Sequence, residues 1–335
     1  MLQKREDMYM DTYEDILNGL SISLREIIKK YVDTSTWGGL EEIRIREGRP
    51  LMIINRGTDM MLTSKGFTTQ DNKRAYTVSH KDMVETLELI SESSIYAFQD
   101  ELKNGFITLR GGHRVGLAGR VVMENGDIKT LKNVTGINIR ITRELKGVSD
   151  KAIDYIYRPP RGVYNTMILS PPMAGKTTLL RDMVRNISNG GPGRPGLKVG
   201  VVDERSEIAG CYNGIPQNDV GVRTDVLDCC PKALGIILLI RSMSPEVICT
   251  DEIGRKSDID AIEEACNAGV NIITTVHASD IEELKRKSNI APLIEERLFD
   301  RYIVLGTSMG RGTIEAIYDG MLNSLIDAPM RSDCQ

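Results

Sequence analysis

Ile16, Leu20, Leu24, Ile27 and Ile28 recur at helical spacing near the start of the chain, which predicts one helix over 13–31. The stretch LEEIRIREGRPLMIINRGTDMML (40–62) switches to a strand period and reads as strand, Gly-Arg-Pro turn, strand, turn, strand. SHKDMVETLELISESSIYAFQDELKNG (79–105) returns to helical spacing and predicts one or two helices, with Ser79 as N-cap. GFITLRGGHRVGLAGRVVMENGDIKTLKNVTGINIRIT (105–142) is a run of strands, with Asn125-Gly126 as a hairpin turn. Residues 1–143 therefore predict a small α+β domain.

RELKGVSD (143–150) is a polar break, and 144–150 is the expected linker. Beyond it, over 151–335, short apolar runs alternate with helical stretches. Strands are predicted at Thr166–Leu169, Lys198–Val202, Val247–Asp251, Asn271–Val276 and Tyr302–Gly306. That alternation implies a parallel sheet with crossover helices, an α/β domain. SNGGPGRPG (188–196) reads as a loop between two such elements.

Composition narrows the function classes. The 335 residues carry a net charge of −4, which argues against a broad nucleic-acid-coating surface. Six cysteines without a CxxC pair suggest a reduced, cytosolic protein, and three histidines make a zinc site a poor expectation. The opening MLQKREDMYMDTYED is too charged for a secretory signal. The longest apolar run, Gly235 to Ile240, is far short of the roughly 20 residues that cross a bilayer, so membrane association is expected only through partners.

The candidate chemistry begins at SPPMAGKTT, residues 170–178. Gly175-Lys176-Thr177 completes a phosphate-loop pattern whose first position holds Ser170 in place of the usual glycine. A strand runs into the loop and a helix, predicted from Thr178 to Asn186, leaves it. Such loops work through backbone N–H groups and the helix N-terminus. Pro171 and Pro172 lack that group but come early, while Met173, Ala174, Gly175, Lys176, Thr177 and Thr178 keep theirs. Lys176 would bridge the β- and γ-phosphates of ATP, and Thr177 would ligate Mg²⁺. PEVICTDEIG (245–254) ends an apolar strand in Asp251, a candidate to hold Mg²⁺ through water, and Glu252, a candidate for polarising the attacking water. Thr250 interrupts that apolar run. VGVVDERSEIAG (199–210) ends another strand in Asp203, Glu204 and Glu207, and IITTVHASD (272–280) ends a further one in His277. Ligands in open parallel sheets bind at the carboxyl ends of strands, so all these residues are expected near the phosphates.

In this order the four segments resemble the Walker A, Asp box, Walker B and His box of the type II/IV secretion ATPases. LLIRSMSPEVI (238–248) resembles the arginine-bearing helix before that family's Walker B and points to Arg241. The N-terminal half, through LEEIRIREGRPLMI, GFITLRGGHRVGLAGRVV and INIRITRE, resembles a sporulation branch of the family more narrowly. The resemblance covers nearly the whole chain. It implies a PAS-like N-terminal domain on a RecA-like ATPase core, in a homo-oligomeric and hexameric ring. It also implies a cytoplasmic motor on the mother-cell side, peripheral to the membrane and docked on integral membrane proteins of a channel to the forespore. Asp203 is then a second metal candidate, and Glu204, Glu207, Arg241 and His277 join Glu252 as catalytic candidates. Arg114 and Arg120 in GGHRVGLAGR would reach a neighbour's nucleotide. Two other readings stand beside this one: a nucleic-acid-dependent RecA-like translocase, disfavoured by 5% aromatic content, and a nucleotide-binding scaffold with little turnover.

Overall fold

The computed structural model describes residues 13–31, 37–91, 105–124 and 126–332. The chain forms two compact units, Met1–Arg143 and Glu144–Gln335.

The first unit is α+β. Its antiparallel sheet has the order β4-β3-β2-β1-β7-β6-β5, built from β1 (Leu40–Arg46), β2 (Met52–Asn55), β3 (Thr58–Leu62), β4 (Thr68–Thr69), β5 (Phe106–Thr108), β6 (Arg114–Glu124) and β7 (Asp127–Arg140). Alternation sends Ile43, Ile45, Ile53, Val115, Ile137 and Ile139 into a core shared with Leu24, Ile27 and Ile28 of α1 (Ile22–Tyr31). The helix expected over 13–31 is broken. Gly19 and Leu20 close short turns onto Ile16 and Leu17, and Ser21 Oγ accepts from Leu24 N, so that a new helix starts at Ile22. Ser79 caps α2 (His80–Ile90) in a reciprocal capping box with Asp82. The remainder of the helical stretch predicted beyond α2, residues 92–104, lies outside the described residues, as do Asn125 and Cys334. Glu124 pairs with Asp127 across the turn that contains Gly126.

The second unit is α/β. Its sheet runs β10-β9-β11-β12-β8-β13-β14, from β8 (Thr166–Ser170), β9 (Val199–Asp203), β10 (Thr224–Asp228), β11 (Val247–Thr250), β12 (Asn271–His277), β13 (Arg301–Gly306) and β14 (Thr313–Asp319). All neighbours are parallel except β13 and β14. Helices α3 (Lys176–Asn189), α4 (Lys232–Ser242) and α5 (Lys256–Asn267) follow β8, β10 and β11. The two strands not expected are the two sheet edges. TDVLD and TIEAIYD are only partly buried and carry charges, so they lack the continuous apolar runs of the central strands. Residues 144–150 are tied into this unit: Glu144 Oε1 accepts from Asp219 N, Lys146 pairs with Asp219, and Ser149 donates to Asp182.

Register decides where the chemistry lies. His277 sits opposite Ser170, and Thr250 is opposite both Thr274 and Val202. The carboxyl ends of β9, β11, β12 and β8 therefore align, and Asp203, Asp251, Glu252, His277 and the phosphate loop emerge along one edge of the sheet.

Candidate functional site

Two left-handed residues shape the phosphate loop. Met173 has φ 63° and Gly175 φ 102°, and α3 begins at Lys176 immediately afterwards. A side chain at 175 would be strained by that φ whatever the space around it. Ser170, by contrast, is not among the left-handed residues. It ends β8 fully buried, with its Oγ donating to Pro171 O at 2.7 Å. The loop thus needs glycine's freedom at 175 and only small size at 170. Pro171 is half-buried, Pro172 and Met173 are exposed, and Ala174 is buried with its carbonyl accepting from Gly312 N at 2.9 Å.

No side chain caps α3. Its first amides are thus left without a side-chain acceptor at the positive end of the helix dipole, which suits a phosphate. Thr177 and Thr178 are half-buried in this first turn.

Lys176, Glu252 and His277 converge. Lys176 Nζ lies 3.1 Å from Glu252 Oε2 and 2.6 Å from His277 Nε2, and His277 Nε2 lies 3.1 Å from Glu252 Oε2. Partial burial works to raise the Glu252 carboxyl, but the hydrogen bond and charge of Lys176, backed by His277 and Arg205, outweigh it and hold the group below its ordinary range.

The Asp-box residues are divided between two tasks. Asp203 is fully buried and accepts from the backbone N–H groups of Glu207 (2.8 Å), Ile208 (3.0 Å) and Ala209 (2.8 Å). Burial pushes its pKa up to about 6 against the pull of those amides. The same loop is clamped by Arg181 of α3, whose Nε donates to Ile208 O and whose Nη2 donates to Glu207 O, both at 2.6 Å. Glu204 instead pairs with Lys232, which also lies 3.1 Å from Asp251 Oδ1. Burial raises the Asp251 carboxyl and Lys232 counteracts it, with the net shift upward. Thr250, the polar break in the β11 run, is buried and satisfied, its Oγ1 donating to Val202 O at 3.1 Å.

Among the described residues no group of three or more His, Cys, Asp or Glu is arranged to hold a metal ion. Asp203 already accepts three amides and Asp251 Oδ1 lies 3.1 Å from the Lys232 ammonium, so direct ligation of Mg²⁺ by either would compete with partners already in place. The half-buried Thr177 hydroxyl, with no hydrogen-bond partner among the described residues, fits a magnesium ion carried on phosphate. Arg241 is not brought to the cluster. It is exposed in the last turn of α4, nine residues beyond Lys232, or about 13 Å at helical rise. In the first unit Arg114 stacks over the Phe106 ring at 4.1 Å and Arg120 is exposed further along β6.

The family profile for sporulation stage III, protein AA matches residues 10–325. The chain belongs to that family. Stage III sporulation protein AA of Bacillus subtilis (strain 168) is 47% identical over 283 residues, covering 84% of this chain and 88% of the relative. The fold is shared with two solved structures. The pilus retraction motor PilT with bound ADP aligns at TM-score 0.54 and 15% identity, over 85% of this chain and 78% of that one. The Legionella pneumophila ATPase DotB aligns at TM-score 0.50 and 16% identity, over 79% and 72%. This member of the sporulation family therefore has a RecA-like α/β fold shared with those two structures, preceded by an α+β unit. No described helix is long and apolar enough to cross a membrane.

Sequence reasoning missed Lys232, Arg181 and the Gly312 contact. A lysine opening an apolar helix reads as a solvated end. Only the excess of acids at 203, 204, 207, 251 and 252 signals that a buried counter-charge is required.

Proposed function

We propose that this sporulation protein is a magnesium-dependent ATPase motor. The observation that carries the reading is the meeting of Lys176, Glu252 and His277 beside the uncapped start of α3. In the nucleotide-free chain Lys176 is held by Glu252 and His277. A γ-phosphate arriving at the α3 amides competes for the ammonium, and Glu252 is freed to orient a water toward the phosphorus and take up its proton. While Lys176 is paired with it the Glu252 carboxylate is a weak base, and loss of that pairing to phosphate raises its basicity as the water arrives. His277, across from Ser170 in register, stands where a side chain can contact the same phosphate. Thr177 would hold the magnesium ion, which when bound neutralises phosphate charge. Asp203 and Arg181 are positioning residues that fix the loop carrying Glu204 and Glu207.

The family membership supports a role in sporulation. We assign the motor to a homo-oligomeric, hexameric ring on the cytoplasmic, mother-cell face of a membrane, energising a channel toward the forespore through integral membrane partners, with Arg114 and Arg120 acting on a neighbour's phosphates. Glu252→Gln tests the chemistry. The variant should retain ATP binding by calorimetry while turnover falls about 100-fold or more. Full turnover in that variant would remove Glu252 from the reaction.

A further inference from the structure

Lys232 is placed against the preference of its own helix. It opens α4 after Pro231, with no side-chain cap, so its charge stands at the positive end of the helix dipole. Its residue is only 6% exposed. What holds it there is the acid pair: Nζ lies 3.1 Å from Asp251 Oδ1 and is ion-paired with Glu204 Oε2. The approach of α4 to the sheet is built for this. A Cβ on Gly235 would meet Val202 Cγ1 at 2.5 Å, and one on Gly200 would meet Leu239 Cδ1 at 2.8 Å, so two glycines let α4 lie close to β9 and deliver Lys232 to the strand ends. The third acid of the edge, Asp203, is occupied by three amides.

We infer that Lys232 is the resident cation of the Glu204–Asp251 pair, and that the pair therefore takes up no free divalent ion, so that magnesium enters this edge only on nucleotide phosphate. The second clause rests on the proposed nucleotide site; the first does not. Without the ammonium, the buried Asp251 and the half-buried Glu204 carboxylates would repel each other and attract a divalent cation. With the ammonium between them the oxygens already face a positive charge, and a second cation within contact range is repelled. Lys232 is thus a positioning residue, setting Asp251 and Glu204 without contacting the reacting phosphate.

The test is Mn²⁺ binding by electron paramagnetic resonance, with and without ATP, on the full chain. The parent should show no saturable Mn²⁺ uptake alone and clear uptake with ATP. Lys232→Met, checked for fold by circular dichroism, should gain a nucleotide-independent Mn²⁺ site, tightening binding by at least about tenfold. The double variant Lys232→Met, Glu204→Gln should lose that gain. Saturable Mn²⁺ binding by the parent alone would overturn the inference whether or not any variant folds, and so would a folded Lys232→Met chain with no gain. A parent that takes up Mn²⁺ in neither condition, together with the gain in Lys232→Met, would uphold Lys232 as the resident cation and sink the nucleotide site instead.

Discussion

Ser170→Gly restores the residue that phosphate loops usually carry at this position, yet the expected effect is a loss of stability with little change in rate. Ser170 is not in a left-handed conformation, so glycine relieves no strain there. The substitution removes the Oγ bond to Pro171 O, worth about 1 kcal/mol net, and adds the entropic cost of glycine, about 0.5–1 kcal/mol. The sum, about 1.5–2 kcal/mol, lowers the melting temperature by about 3–8 °C for a domain of this size. Turnover should stay within about threefold of the parent, because the amides that face phosphate begin beyond 172 and their geometry is set by Gly175. Differential scanning calorimetry and a coupled phosphate-release assay on both proteins measure the two effects. A rate change of about tenfold or more in either direction would show that Ser170 acts on the phosphate and would refute the reasoning, as would a clear gain in stability.

Three further outcomes follow from the charges. Glu252 has a lowered folded pKa, so its pairing with Lys176 adds stability above the ordinary value of 4.5 that fades as pH falls through the lowered one; the urea midpoints of the parent and Glu252→Gln should converge on acidification, and a constant gap would contradict the pair. Asp203 is raised from 3.8 to about 6, so the folded chain holds an extra proton between those values and this group's contribution to stability falls as pH rises from about 4 to 6; infrared spectra of aspartate-labelled protein should show a protonated-carboxyl band at pH 5 that fades at pH 7 and is weaker at pH 5 in Asp203→Asn, and an unchanged band in that variant would contradict the assignment. Lys176→Ala and Arg114→Ala chains, each weak alone, should regain activity when mixed if Arg114 serves a neighbour; no recovery in rings shown to exchange subunits would count against that role and leave Arg114 to its packing over Phe106.

The central strands were legible because parallel strands buried on both faces are written as mainly apolar runs, broken here only by threonines, and each run ended within a residue of its place in the sheet. The chemistry at their ends was legible for the same reason: Glu252 lies two residues beyond β11 and His277 closes β12, and the alignment of the strand ends carries both to Lys176. Edge strands β10 and β14 were not, since a half-exposed strand with charges resembles a loop. The break at Gly19–Ser21 was hidden because the apolar period carries through it, and only the Ser21 side chain, bonded to Asp82 at 2.9 Å, reveals why a new helix starts. Asp203 reads as a metal ligand from its place after β9, but its use as an acceptor for three amides depends on how the 204–209 loop doubles back. Arg241 and Lys232 show the same limit from two sides. They belong to one helix, and only the packing decides that its first residue, not its tenth, meets the acids.

The proposed ATPase reaction depends on Lys176 and Glu252 acting as a pair. The most direct measurement is steady-state phosphate release from ATP by the purified full chain with magnesium, alongside Lys176→Ala. The parent should show magnesium-dependent turnover and the variant a loss of about 100-fold or more, the scale for removing one pre-placed cation or donor from a developing phosphate charge. Turnover that survives Lys176→Ala unchanged would contradict that dependence.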